Sequence, residues 1–321
     1  MRLINAVDHA EEMKTRVLPF LEKRREAGYS ERKPGQKLYF EHYRTDDPKA
    51  TVVILHGFTE SIGKFYETAY YFLTSGFHVW MLQQRGHGKS FRGTQDPALV
   101  KIEHYEDLIL DLHHFVTEQV KKAVDTERYP LYLFGHSMGG GVSGCYLERY
   151  PGVFEKAVLS SPMMELNSGG TPAWLAASYA ALMKLLKKGE KYMPGSTPFS
   201  GEPDFANSCS NCEERYNYWF EVIKAHPEYQ MSCSAITTAL ELLKLTREVT
   251  AKKNCRRVRT KVLLIQAGKD TMVKSGGQDA FIRGIGEWGK KIVLPEAKHE
   301  IYFGQDKDLQ IYWDQILDFL K

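Results

Sequence analysis

One serine, one histidine and one acid stand in this chain where they could act together on an acyl group. Ser137 lies in GHSMG, residues 135–139, a G-x-S-x-G pattern between a predicted strand and a predicted helix. A serine hydroxyl is a weak nucleophile at neutral pH and needs a base beside it. The base in turn needs an acid that holds its tautomer and stabilises the imidazolium. Asp270 in AGKDTMV and His299 in EAKHEIYF each follow a predicted strand. That puts both at carboxyl ends of strands, the edge where α/β sheets gather ligands. The expected roles are Ser137 as nucleophile, His299 as base and then acid, and Asp270 as its orienter.

The glycines at 135, 139, 140 and 141 fit this chemistry. They are costly in an ordinary helix. They suit a tight, strained turn that lifts a hydroxyl clear of a sheet and sets it at a helix N-terminus. An oxyanion hole needs two donors. The amide of Met138, directly after the serine, is one. The amide of Phe58 in HGF, at the end of an earlier strand, is the natural second. HGGG is absent. The loop QRGHGKS lacks the P-loop spacing and reads as a structural turn near the site. His136 adjoins the serine, but neighbouring side chains on such a turn point apart. His9, His42, His78, His104, His113, His114 and His226 lack strand-end context. Asp279, Glu296 and Glu300 are rival acids, each better explained as a solvated charge.

The positioning elements follow from hydrophobic periodicity. TVVILHG, FHVWMLQ, PLYLFG, KAVLSSP, TKVLLIQAG and KKIVLPE read as buried strands, and QKLYFEHYR as an alternating one. Helices are expected over 8–25, 61–74, 104–122, 138–149, 278–287 and 308–321. Alternation of the two predicts a mostly parallel sheet covered on both faces. The rhythm breaks between about 165 and 257, which reads as a helical insertion. The expected organisation is a first core part over 1–164, a helical cap over 165–257 and a second core part over 258–321.

Composition bounds the rest. A chain of 321 residues with 43% hydrophobic and 26% charged residues suits one large globular α/β unit. A net charge of +3 gives no argument for a nucleic-acid partner. The N-terminus MRLINAVDHAEEMKTR has no signal-peptide core, and no run of 18 apolar residues exists. Five cysteines then read as reduced thiols of a cytoplasmic protein, and CSNC at 209–212 as ordinary loop thiols. PAWLAASYAALMKLLKK is apolar and then basic: either a helix buried over the core or a lid that lines an acyl pocket or touches lipid. KKNCRRVRTK is either a solvated linker or an attractor of anionic surfaces.

HGF, RGHGKS, GHSMGGG, SSPMMEL, AGKDTMV and KHEIYF, together with ERYNYWFEVIKAHPEY, make the chain resemble the α/β-hydrolase superfamily, and within it the lysophospholipase and monoacylglycerol lipase branch. One departure is Gln83 and Gln84 before RGHG, where that branch often carries an acid; it touches packing beside the site. The resemblance implies an α/β-hydrolase fold with the triad Ser137, Asp270 and His299, donors at Phe58 and Met138, and a mobile cap. It also implies ester hydrolysis of single-chain acyl lipids without cofactor or metal; transient contact with a membrane or micelle surface is the expectation from the apolar-then-basic cap segment and the basic run. Rival readings are a carboxylesterase for short or aromatic esters, an aminopeptidase using cap acids such as Glu202, Asp204, Glu213 and Glu214, and an idle ligand-binding module.

Overall fold

The computed structural model describes residues 2–321. Its centre is an eight-stranded sheet. The strands are β1 (Arg25–Lys33), β2 (Gln36–Tyr43), β3 (Ala50–Leu55), β4 (Phe77–Leu82), β5 (Leu131–His136), β6 (Lys156–Ser160), β7 (Lys261–Ala267) and β8 (Gly289–Leu294). Their order is β1-β2-β4-β3-β5-β6-β7-β8. β1, β2 and β4 pair antiparallel, and all other pairs are parallel. β3, β5 and β6 are buried along their whole length, which explains their unbroken apolar runs. β1 is the edge strand that the sequence did not announce. Its residues are mostly exposed and only Ser30 is buried, so it carries no apolar alternation.

Helices cover both faces: α1 (Tyr66–Thr74), α2 (Tyr105–Phe115), α3 (Ser137–Arg149), α4 (Ala173–Leu185), α5 (Glu213–Ala225), α6 (Ile236–Val249), α7 (Ser275–Ile285) and α8 (Asp306–Leu320). Strand side chains alternate between two cores. Val53, Leu133, Leu159 and Leu264 meet α2, α3, α6 and α7 through Leu112, Val142, Leu245 and Phe281. Val52, Phe134, Val158 and Ile265 meet α1, α8 and the N-terminal helical segment through Phe72, Trp313 and Val17. Among the described residues, no helix is long and apolar enough to cross a membrane.

The three longer helices of the 165–257 interval differ in attachment. α6 lies in the first core through Leu242, Leu245 and Val249. α4 rests on α6 through Ala180, Ile236 and Leu240, and leaves Trp174, Leu182 and Leu185 exposed. α5 is fastened by Arg215, which is fully buried. Its guanidinium donates to Glu67 of α1 at 3.2 Å, to Asp306 of α8 at 2.9 Å, and to the carbonyl oxygens of Ile4 at 2.8 Å and Gly304 at 3.1 Å. His9 and the Tyr71 hydroxyl also reach Glu67. Burial alone would push the Glu67 carboxyl up, yet Arg215 and His9 hold it down, to about 2. One cation therefore joins the N-terminal segment, α1, α5 and α8.

Arg215→Met would leave Glu67 buried without its main counter-charge. We expect urea denaturation at pH 7 to show a loss of about 3–5 kcal/mol. Because the Glu67 pKa is depressed on folding, its contribution is present above the unfolded value near 4.5 and is lost as pH falls through about 2. The deficit should shrink in that window. A variant as stable as the wild type would show that this cluster does not hold the helices.

Candidate active site

Four strands deliver the site at one edge. β5 ends at His136 and α3 begins at Ser137, so the turn has no spare residue. Ser137 takes φ +50°, a left-handed conformation uncommon outside glycine. A Cβ on Gly139 would stand 2.5 Å from the carbonyl oxygens of Leu55 and His56. A Cβ on Gly135 would collide with the Ser143 hydroxyl and the Gly139 carbonyl. These two glycines thus let α3 start against β3 and β5, and the opening pattern has a steric cause. The Ser137 carbonyl accepts from the Met163 amide at 2.8 Å, which ties the turn to the loop after β6.

Asp270 lies in the loop after β7 and His299 in the loop after β8. His299 Nδ1 is 2.7 Å from Asp270 Oδ2, and His299 Nε2 is 2.8 Å from Ser137 Oγ. An ionised carboxylate only accepts, so Nδ1 carries the proton and Nε2 accepts from the serine hydroxyl. The other Asp270 oxygen accepts from the amides of Met272 at 2.8 Å and Val273 at 3.0 Å. Burial would raise this carboxyl, but the hydrogen bond from His299 and the two amides bring it below its ordinary value. The structure therefore brings Ser137, Asp270 and His299 into one hydrogen-bonded line. Met138 N–H falls in the first turn of α3, where amides lack intrahelical acceptors. Phe58 lines the same cavity, next to Ser137.

The Phe58 loop is pinned by groups that the sequence reading did not single out. Thr59 takes φ +57°, and its amide donates to His87 Nε2 at 3.1 Å. His87 comes from RGHGKS, so that turn supports the loop directly. His56 Nε2 accepts from the Gln84 amide at 3.0 Å, and Gln83 Nε2 stands 2.9 Å from it. Its Nδ1 then donates to Gly57 O at 2.8 Å, and burial lowers its pKa to about 4. Gln83 and Gln84 thus hold His56 in place beside the site by hydrogen bonds. Glu60 accepts from the Gly57 amide at 2.5 Å and from the Tyr302 hydroxyl at 2.7 Å. Glu60 and Lys64 stand at i, i+4 spacing, which is the local trace that could have drawn attention to them.

The rival acids separate. Asp279 pairs with Lys291, and Glu296 with Lys269, both outside the cavity. Glu300 is not a solvated charge: its side chain is 13% exposed and accepts from Lys64 Nζ at 2.6 Å. The reason is burial of Lys64, which the sequence could not report. His136 also lines the cavity, with its ring centroid 4.9 Å from that of His299 and its pKa pushed well down by burial.

The cavity over Ser137 measures about 330 Å³. Phe58, Met163, Leu166, Leu242 and Val273 form an apolar wall; Glu60, Lys64, Ser208 and Glu300 form a polar end. Glu202, Asp204, Glu213 and Glu214 are exposed and do not line it. The five cysteines are unpaired, and Cys209 lines the cavity. Among the described residues, two groups could converge on a metal ion: His104, Glu106 and Glu241, and Cys145, Glu148 and Glu248. Neither lies at Ser137.

Comparison with known proteins places this geometry. Lysophospholipase L2 of Escherichia coli strain K12 is 27% identical over 289 residues, which cover 87% of this chain and 83% of that protein. The monoacylglycerol lipase of Mycolicibacterium smegmatis is 33% identical over 145 residues, covering 45% of this chain and 49% of that protein. A soluble variant of the monoglyceride lipase of Saccharomyces cerevisiae, solved with a substrate analog, matches with a TM-score of 0.75 at 17% identity, over 92% of this chain and 94% of that one. At that identity the likeness shows the fold, which is the α/β-hydrolase fold. The family model Hydrolase_4, described as serine aminopeptidase, S33, matches residues 46–306, and the chain belongs to that hydrolase family.

Proposed function

We propose that this protein is a serine ester hydrolase for single-chain acyl lipids, lysophospholipids or monoacylglycerols. The observation that carries the reading is the line Ser137–His299–Asp270 opening into a cavity with one apolar wall and one polar end. Ser137 Oγ attacks the ester carbonyl while His299 Nε2 takes its proton. The amides of Phe58 and Met138 hold the oxyanion, each donor contributing about 3 kcal/mol of transition-state stabilisation. His299 protonates the departing alcohol. Water, deprotonated by His299, then releases the fatty acid from Ser137. Every step runs on side chains and amides of this chain.

The acyl chain lies along Phe58, Met163, Leu166 and Leu242, and the alcohol faces Glu60, Lys64 and Glu300. Two carboxylates there outnumber one ammonium, which disfavours a phosphate monoester. The same Lys64 neutralises much of what a peptide ammonium would need, and the cap acids suggested for that role do not line the cavity. These points favour an ester lipid over an aminopeptidase substrate. Residues 165–257 act as the cap between the core parts 1–164 and 258–321. Its helix α4 presents Trp174 at 65% exposure and Leu185 at 79%, beside Lys184, Lys187 and Lys188. An apolar face rimmed by lysines suits transient contact with an anionic lipid surface. Free cysteines support a cytoplasmic setting.

Fatty acid release should be measured on monoacylglycerol, lysophosphatidylcholine, lysophosphatidic acid and a short aryl ester. The first two should exceed the others at least about tenfold, or about 1.4 kcal/mol in transition-state binding. Ser137→Ala should lower kcat by about 10⁴-fold or more. Preference for the short ester would keep the serine chemistry and reject the lipid reading. A second experiment addresses α4. Leu182→Asp with Leu185→Asp should slow hydrolysis of substrate held in anionic vesicles several-fold and leave a dissolved short ester unaffected. Equal loss on both would assign α4 to the cavity and not to the lipid surface.

A further inference from the structure

Toward the C-terminal end of α3, at the opposite end from Ser137, lies a cluster that ester hydrolysis does not use. Cys145 and Glu148 are on α3, Glu248 is on α6, and Cys255 is on the short helix Lys252–Cys255. One ligand atom each of Cys145, Glu148 and Glu248 lies within 4.8 Å of the others. Cys145 and Cys255 are fully buried, and Glu148 is 1% exposed. Neither Glu148 oxygen has a hydrogen-bond partner among the described residues. The Cys255 thiol stands beside that carboxyl and interacts with it, and it donates to the Val249 carbonyl oxygen at 3.5 Å.

A buried carboxyl without a partner is costly and calls for a cause. From the chemistry of these four donors, we propose that Cys145, Cys255, Glu148 and Glu248 form a closed structural site for a zinc ion. Thiolates and carboxylates are both zinc ligands, with Zn–S near 2.3 Å and Zn–O near 2.1 Å, and four such donors can supply its tetrahedral geometry. Those bonds place donors about 3.4–3.8 Å apart, so the 4.8 Å spread of Cys145, Glu148 and Glu248 closes with side-chain movements of about 1 Å, while Cys255, outside that group, must swing in further. The charges also balance. Four anionic donors and Zn²⁺ leave two negative charges. Arg149 holds Glu248 at 2.6 and 2.7 Å, and Arg257 acts on both carboxyls. Arg149 donates to both Glu248 oxygens and the Tyr105 hydroxyl to one of them at 2.5 Å, so these groups fix that carboxylate as outer partners do in metal sites. Thiols and carboxyls ligate zinc only after losing their protons. Zinc must therefore displace protons, and loading should strengthen as pH rises. The ion would clamp α3, whose other end bears Ser137, to α6 and to the 252–255 helix. It takes no part in ester cleavage.

The full-length protein should be produced in zinc-supplemented medium, and separately refolded with Co²⁺ under reducing conditions. We expect about one zinc per chain, a thiolate-to-cobalt charge-transfer band, and a lower unfolding temperature after chelation. The band should vanish in Cys145→Ser and in Cys255→Ser. Glu148→Gln keeps the side-chain shape and removes the charge. It should fold at least as stably as the metal-free wild type, yet bind zinc at least tenfold more weakly. Kinetics on a dissolved ester should be the same with and without metal. A wild type that stays below one tenth of a zinc per chain after both loadings would overturn the proposal. So would metal bound equally well by Glu148→Gln and both serine variants, which would place the ion elsewhere, as at His104, Glu106 and Glu241.

Discussion

The left-handed backbone at Ser137 is the constraint on which the rest of the site depends. A non-glycine residue there costs on the order of 1–3 kcal/mol and persists only when its surroundings leave no alternative. Here they leave none. β5 is buried between β3 and β6, and α3 begins with its backbone packed against the end of β3. The Met163 amide then holds the Ser137 carbonyl. Relaxing the turn would break sheet pairing or drive a Cβ-sized gap into the core. The strain places the hydroxyl within reach of His299, and the amide of Met138 where negative charge would develop.

The groups around this turn are arranged to do one thing each in one protonation state. Asp270 is held ionised by His299 and two amides, which leaves His299 Nε2 as an acceptor. His56 and His87 are buried and neutral, so each can accept an amide proton from the segment it supports. Glu60 and Glu300 share Lys64 at the polar end of the cavity. Each assignment follows from counting donors and acceptors among largely buried groups.

Much of this was legible in the sequence because it is local. G-x-S-x-G between a strand and a helix compresses the turn, its glycines and the nucleophile into five residues. Asp270 and His299 are marked by the strands that precede them. The buried polar network was not legible, because its pairs are far apart in the chain. Glu60 and Tyr302 are 242 residues apart, and Glu67 and Arg215 are 148 apart. Neither pair leaves a periodic signal. β1 was missed for a different reason: an edge strand exposed on most of its length has no apolar alternation to read. The reading of 165–257 as a helical insertion did not reveal that one of its helices, α6, packs in the core against α3.

The central claim is that Ser137 is the residue that becomes acylated. Its most direct test is to treat the native protein with a fluorophosphonate and to map the adduct by peptide mass spectrometry. The account predicts one adduct per chain, on Ser137, forming far more slowly in His299→Ala. An adduct on another residue, or none in a folded protein with ester-hydrolysing activity, would contradict it.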